Sequence, residues 1–405
     1  MNSLWHKIKS TNPLAWFLVL LVGMGTVYPL GMLFAGSFAE GGHLSLRSYV
    51  TTFSDMDNYR LLGTTLWLAA ARTLLATGMA IFLAWVVTRT NTPLRGLLET
   101  LIWVAFFIPS LPLALGWMTL ALPRTGLINV WLTQAFNLSS PPFNVQSYGG
   151  LIFVSILPWT SMLFILLVPA LRGMDASLEE ASKIAGAGVL TTLRRITIPL
   201  ISPALLGVSM LALVRMMESF EIELLLGYPA QIYVFATRVY DRLTANPVDY
   251  GSALSLSTVF LVMVFPLMLY QWQLLKRGER YATITGKGFA TRVTDIGRWK
   301  YVTLSVVLFY FALAVAVPVG SLILGTFMKV PGLFNVAEPY TTEHFGLTFA
   351  DTMVIGSIKN TFIVAFISAT LGMVLYAVMS YINVRTRFAG RSILEFFSWL
   401  PYSVP

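Results

Sequence analysis

Apolar residues run through this chain in long blocks, each close to the length that crosses a bilayer. A helix rises 1.5 Å per residue, so about 20 apolar residues span a hydrocarbon core of about 30 Å. Blocks of this kind predict spans near 14–38, 62–87, 97–122, 148–171, 201–226, 251–275, 300–327 and 357–383, and a further run starts near 392. Between the blocks the basic residues are unevenly shared. Eighteen of the 27 Lys and Arg fall in segments on the side of the N-terminus and seven on the other, with Arg72 and Arg215 inside spans. The positive-inside rule therefore predicts a cytoplasmic N-terminus.

One polar island interrupts the pattern on that inner side, Asp175–Pro203, reading DASLEEASKIAGAGVLTTLRRITIPLISP. It opens with Ser177-Leu178-Glu179-Glu180, a capping-box pattern in which a serine hydroxyl and a glutamate close the first helical donors. Small residues follow at Ala181, Ser182, Ala185, Gly186, Ala187 and Gly188, and Pro199 stands where hydrophobicity resumes. A run of small residues lets another backbone approach closely, so the island is expected to be a docking element. An ordinary interfacial helix with basic residues at the lipid surface is the plainer alternative.

The chain also repeats itself. YPLGMLFAGSF at 28–38 returns as VPVGSLILGTF at 317–327, with Pro29 over Pro318 and Gly31 over Gly320. At a constant offset of 296, Arg89 then falls on Arg385, Arg95 on Arg391, Glu99 on Glu395, Trp103 on Trp399 and Pro109 on Pro405. The first copy of the repeat is consequently expected to be a retained helix and no cleaved leader. The predicted fold is an all-α polytopic membrane protein of tandem six-helix units. The first unit covers 1–275 with the polar island helix at about 177–190, a cytoplasmic linker covers 276–299, and the second unit begins at 300–405. That second copy stops in an apolar run at Pro405, so a fragment or truncated reading frame is expected, its missing polar island lying 296 residues beyond the first.

Composition narrows the chemistry. The 405 residues are 56% hydrophobic and only 11% charged, where soluble chains carry about a quarter charged. With no cysteine and three scattered histidines, His6, His43 and His344, thiolate chemistry is excluded and no metal box is formed. The net charge of +9 follows topology and implies no nucleic acid. No phosphate-binding loop occurs, the nearest fragment being Gly286-Lys287-Gly288, and no catalytic constellation stands out. No cofactor is expected, and energy would have to come from a partner chain. The costly polar groups within apolar sequence are Arg215, Glu218 and Glu221, with Glu223 nearby. At three-residue steps the first three would share a stripe of about 120° on a continuous helix. They are candidates for lining a path, against the simpler reading of an Arg–Glu pair that satisfies itself. Arg72 reads as a packing or pairing residue.

The island resembles permeases of binding-protein-dependent ABC importers. Their cytoplasmic pattern is EAA, three residues, G, nine residues, then I-x-L-P. Glu180-Ala181-Ser182, Gly186 and Ile196-Thr197-Ile198-Pro199 meet that spacing, with Ser182 and Ile198 as departures. The resemblance implies that Glu180, Ala181, Ser182, Gly186, Ile196, Ile198 and Pro199 belong to a coupling helix seated on a cytoplasmic ABC ATPase dimer. It also implies a periplasmic or lipid-tethered binding protein and a bacterial inner-membrane location. Double-length chains and the segment MESFEIELLLGYPAQIYVFATRVYDRL at 217–243 are similar to the iron(III) subgroup, with thiamine, phosphonate and polyamine permeases as neighbours. An ion-gradient-driven secondary transporter is the alternative from another class, and a membrane enzyme lacks residues to support it.

Overall fold

The computed structural model of the protein describes residues 13–40, 43–175, 177–281, 293–330, 338–386 and 388–403. His6, Lys7, Lys9, Gly286-Lys287-Gly288, Pro405 and much of the expected linker lie outside them. In chain order the helices are α1 Pro13–Ser37, α2 Arg47–Ser54, α3 Met56–Arg89, α4 Arg95–Phe107, α5 Ser110–Ala121, α6 Leu127–Phe136, α7 Tyr148–Gly173, α8 Ser177–Ile184, α9 Val189–Thr192 and α10 Ile198–Met217. They continue as α11 Phe235–Thr244, α12 Tyr250–Tyr281, α13 Trp299–Phe311, α14 Val317–Thr326, α15 Glu343–Ala350, α16 Thr352–Arg385 and α17 Arg391–Ser403. Two short antiparallel strands, Ala39–Glu40 and His43–Leu44, follow α1. Among the described residues, seven helical stretches are long and apolar enough to cross a membrane, with α4 and α5 as a further, bent pair.

The bend and the ends are set by local chemistry. Residues 97–122 were expected to form one span, but α4 and α5 meet at 94°. Proline disfavours helical geometry in the residue before it, and Ile108, ahead of Pro109, is extended at φ −75°, ψ 118°. The expected span 201–226 stops at Met217, where Glu218 caps α10. The run near 392 forms α17, described from Arg391 to Ser403.

The chain divides into two compact units that interleave along the sequence. The larger comprises Asp55–Ala245 and Val262–Tyr340. Its axis is α3, whose 34 residues exceed a bilayer's thickness. Asp55 caps it by accepting the Asp57 N–H at 3.0 Å. A face of small residues, Ala69, Ala76, Ala80 and Ala84, is fully buried, which lets α3 pack along α7. The α13–α14 span, joined by a π-turn at Ala312–Ala316, packs on α4, α5 and α7. Tyr310 donates from its hydroxyl to the Leu157 carbonyl at 2.7 Å, and Ser321 donates to the Gly116 carbonyl at 3.1 Å. Gly116 is required by this crossing, since a Cβ there would stand 2.6 Å from the Pro318 carbonyl oxygen.

The smaller unit comprises the chain up to Ser54, Asn246–Leu261 and the chain from Thr341. Ala15, Leu18 and Val19 of α1 form its core with Met379, Ile382, Phe388 and Leu394. Trp16 meets Phe388 edge-on at 5.1 Å. Gly23 faces Phe397, leaving only 3.0 Å for a Cβ. The helix bounds here repeat earlier ones at an offset of 296: α15 corresponds to α2 of this same unit, and α16 and α17 to α3 and α4 of the larger one, residue for residue. Asp351 caps α16 through the Met353 N–H as Asp55 caps α3.

Gly116→Val is expected to destabilise the larger unit by about 1–3 kcal/mol through overpacking against the Pro318 backbone. Gly78→Ala, where a Cβ meets nothing within 4 Å, is expected to leave stability unchanged or raised. Thermal unfolding in detergent, followed by scanning fluorimetry, separates the two.

Candidate functional site

The polar island folds as a helical turn held by buried charges. Asp175 opens α8 by accepting the Ser177 N–H at 2.8 Å, so the described cap comes from two residues upstream of the expected serine. Glu179, not Glu180, is the glutamate that turns inward. It is 6% exposed, accepts the Thr197 hydroxyl at 2.7 Å and lies 3.7 Å from the Arg89 guanidinium. Arg89 is itself buried and donates to the Leu171 and Met174 carbonyls, the second at 3.0 Å. A helix leaves its last four carbonyls without intrahelical donors, and Arg89 supplies donors at the end of α7. One guanidinium thus ties the end of α3 to the end of α7 and to α8, while Thr197 extends the link to the start of α10.

Gly186 ends α8 for a backbone reason. Its φ of +82° is the left-handed conformation, favoured by glycine because no Cβ opposes it. The Gly186 N–H reaches the Lys183 carbonyl at 2.9 Å and the Ala187 N–H the Ser182 carbonyl at 3.0 Å, the paired bonds of a Schellman motif. A Cβ at Gly186 would meet no other part of the chain within 4 Å, so close packing within the protein is not what requires it. Ser182 also pairs with Thr192 at 2.8 Å, closing the turn onto α9. A π-turn over Leu193–Thr197 aims Thr197 inward, leaves Ile196 and Ile198 half-buried, and hands over to α10, whose second residue is Pro199. Ala181 and Gly186 are exposed. Apolar Ile184 and Leu190 stand at the outer edge, 89% and 77% exposed.

The second group of predicted residues does not share a helix face. The continuous helix that would have aligned Arg215, Glu218 and Glu221 ends at Met217, and each residue finds its own partner. Arg215 donates to Glu218 at 2.9 Å. Ser110, at the start of α5, donates to Glu221. Glu223, on a π-turn spanning Glu223–Gly227, pairs with Arg72 of α3, both almost wholly buried, and accepts the Ser219 hydroxyl at 2.7 Å. The pairing expected of Arg72 is thereby met by a residue 151 positions away. Nothing in local spacing points to that partner.

Residues 76–275, which contain the polar island and Arg215–Glu223, match the model of the binding-protein-dependent transport system inner membrane component. This segment is a member of that family. The chain is also similar to the ferric transport system permease protein FbpB of Actinobacillus pleuropneumoniae, 27% identical over 394 residues. That match covers 96% of this chain and 56% of FbpB, so the chain spans little more than half the length of this relative. The molybdenum transport system permease protein ModB of Escherichia coli is 25% identical over 196 residues, covering 47% of this chain and 82% of ModB. Among solved structures, a chain of a bacterial alginate ABC transporter in complex with an alginate pentasaccharide-bound periplasmic protein aligns with a TM-score of 0.54. It is 23% identical and covers 65% of this chain and 91% of that one, a likeness of fold. Within the matched segment, the Arg89–Glu179–Thr197 contacts lie beneath the exposed turn that carries Ala181, Ile184, Gly186 and Leu190.

Removing one partner of a buried ion pair leaves an uncompensated charge, at a cost of about 3–5 kcal/mol. Arg72→Leu is expected to destabilise the protein by that order, and Arg72→Leu combined with Glu223→Leu to recover most of the loss. Thermal unfolding of the two variants side by side is the check.

Proposed function

We propose that this chain is the transmembrane permease part of an ABC importer that carries ferric iron, delivered by a periplasmic binding protein and powered by a separate ATPase. The observation that carries this reading is the turn Ser177–Pro199: within the matched family segment it combines the spaced Glu180, Ala181, Gly186 and Pro199 with an exposed apolar edge on a rigid, charge-locked base. A stiff helix with apolar Ile184 and Leu190 at its rim is suited to seat in a groove and to pass on displacement. The excess of Lys and Arg on its side of the spans supports a cytoplasmic location, where an ATPase would meet it. Glu180, Ala181, Ser182 and Gly186 would then form the contact, with Ile196, Ile198 and Pro199 directing the return into the membrane.

The identical helix bounds at an offset of 296 support two permease units in tandem, both running in the same direction. Similarity to FbpB along 96% of the chain favours iron over other cargo. Similarity to ModB keeps molybdenum as the second reading, restricted to the first unit. Arg215, Glu218 and Glu221 are proposed as groups near the path. Glu221 is the most available of them, being exposed at the bend between α4 and α5.

Gly186→Trp and Glu180→Lys are expected to abolish association with the partner ATPase in a pull-down while leaving membrane insertion intact. Retained association would overturn the docking assignment. Proteoliposomes holding the complete transporter are expected to take up ferric iron only with ATP and binding protein. Uptake driven by a proton gradient without ATP would move the protein to the secondary transporters.

A further inference from the structure

The base of the turn has a second support, which comes from the stretch leading into α13. Thr294 lies beside Thr90 in a short parallel bridge. Its N–H donates to the Arg89 carbonyl at 2.8 Å, and its carbonyl accepts the Asn91 N–H at 3.1 Å. The Asn91 side chain clamps the next two residues. Its amide donates to Asp295 at 2.5 Å and its oxygen accepts the Ile296 N–H at 3.1 Å. The Gly297 N–H, followed by the Asn91 amide, holds the Asp295 carboxyl below its ordinary pKa. Thr92 and Thr303 close the far end at 2.7 Å. Finally Lys183 of α8 donates from its ammonium to the Thr294 hydroxyl at 2.7 Å.

Two residues of α8 therefore reach the same place. Glu179 and Lys183 are four apart and share a helix face. Glu179 meets the Arg89 side chain, and Lys183 meets Thr294, whose backbone is bonded to Arg89. The exposed edge at Ile184 and Leu190 is carried on what these two posts hold. Neither post comes from the spaced pattern that marks the turn.

We propose that Val293–Gly297 is a positioning strap for α8, with Thr294 and Lys183 as its contact, so that the entry to the second unit sets the orientation of the first unit's coupling helix. The inference rests on reading Ser177–Pro199 as the ATPase-coupling element. A strap of this kind is available only where two units share one chain. It gives the linker residues that lead into the second unit a direct hold on the docking surface of the first, before any ATPase is bound.

The chain contains no cysteine, so paired spin labels at Ile184→Cys and Leu74→Cys, both sites exposed, can be placed in it without background. The distance distribution between them, measured without ATPase, is expected to be narrow. It is expected to broaden in Lys183→Gln, Thr294→Val and Asn91→Ala, and to stay narrow in Lys183→Arg and Thr294→Ser, which retain donor and acceptor. With ATPase and binding protein present, Thr294→Val is expected to bind ATPase normally yet lose several-fold in substrate-stimulated ATP hydrolysis. Unchanged widths in Thr294→Val and Asn91→Ala would overturn the strap. If widths broaden but Gly186→Trp still binds ATPase, the strap stands as a positioning element and its role in coupling falls with the docking assignment.

Discussion

A buried guanidinium imposes the strictest condition in this structure. Arg89 carries five N–H donors in a fixed fork and accepts nothing, and it is 1% exposed. Such a group is tolerated only where carbonyls and a carboxylate converge on it, since an unpaired buried charge costs several kcal/mol. The carbonyls come from the end of α7, at Leu171 and Met174. That requirement fixes where α7 stops. The carboxylate comes from Glu179, which must then lie one short turn past α7. Glu179 in turn binds Thr197, which fixes where α10 starts. The exposed residues between Glu179 and Thr197 have little freedom left. Their shape follows from one cation, more than from the helix propensity of an eight-residue segment, which alone would be marginal.

A second buried pair settles the other side of α10. Irregular backbone deep among membrane helices is stable only when protein surrounds it and satisfies its polar groups. The chain leaves helical geometry after Met217 and re-forms as a π-turn at Glu223–Gly227. Arg72, at the middle of α3, meets Glu223 there. Thr73 makes a 3.3 Å contact with Met216 one step along, and Thr77 meets Ser209 at 3.4 Å. These contacts register α10 against α3 along its length. The ion pair is weak evidence for net stability, since hydrophobic substitutes can do as well. What it provides is a unique position for a segment that has no helix to position it.

Much of this was legible in the sequence, and the remainder was hidden for identifiable reasons. Apolar blocks gave the long helices, because composition and length decide whether a segment spans. Pro109 marked the break between α4 and α5 only as a residue, since the angle depends on what packs beyond it. Gly186 stands out in the sequence by its size and spacing, but its need is a left-handed φ, which spacing does not reveal. The choice between Glu179 and Glu180 was not legible at all. Adjacent residues on a helix differ by about 100° in direction, and which one faces inward depends on Arg89, ninety positions upstream in the chain. The stripe of Arg215, Glu218 and Glu221 failed because it assumed a helix that its own residues terminate. Thr294 carried no signal, being an unremarkable threonine in a polar stretch.

The distribution of paired and available charges bears on how cargo would be selected. Arg72 and Glu223 neutralise one another where both are almost wholly buried, and Arg215 engages Glu218 within one turn. A carboxylate held in this way has its charge already balanced and gives a passing cation little to bind. Glu221 differs, since it sits exposed on the hydroxyl of Ser110 at the 94° bend, away from any guanidinium in a described ion pair. One available carboxylate can lower the barrier for a cation without trapping it, whereas a full coordination shell would hold iron too firmly to release. On this reading discrimination resides in the protein that delivers the cargo. Under the proposed function, α8 would time the opening, and the precision of that timing would depend on how firmly Arg89 and Thr294 hold its base.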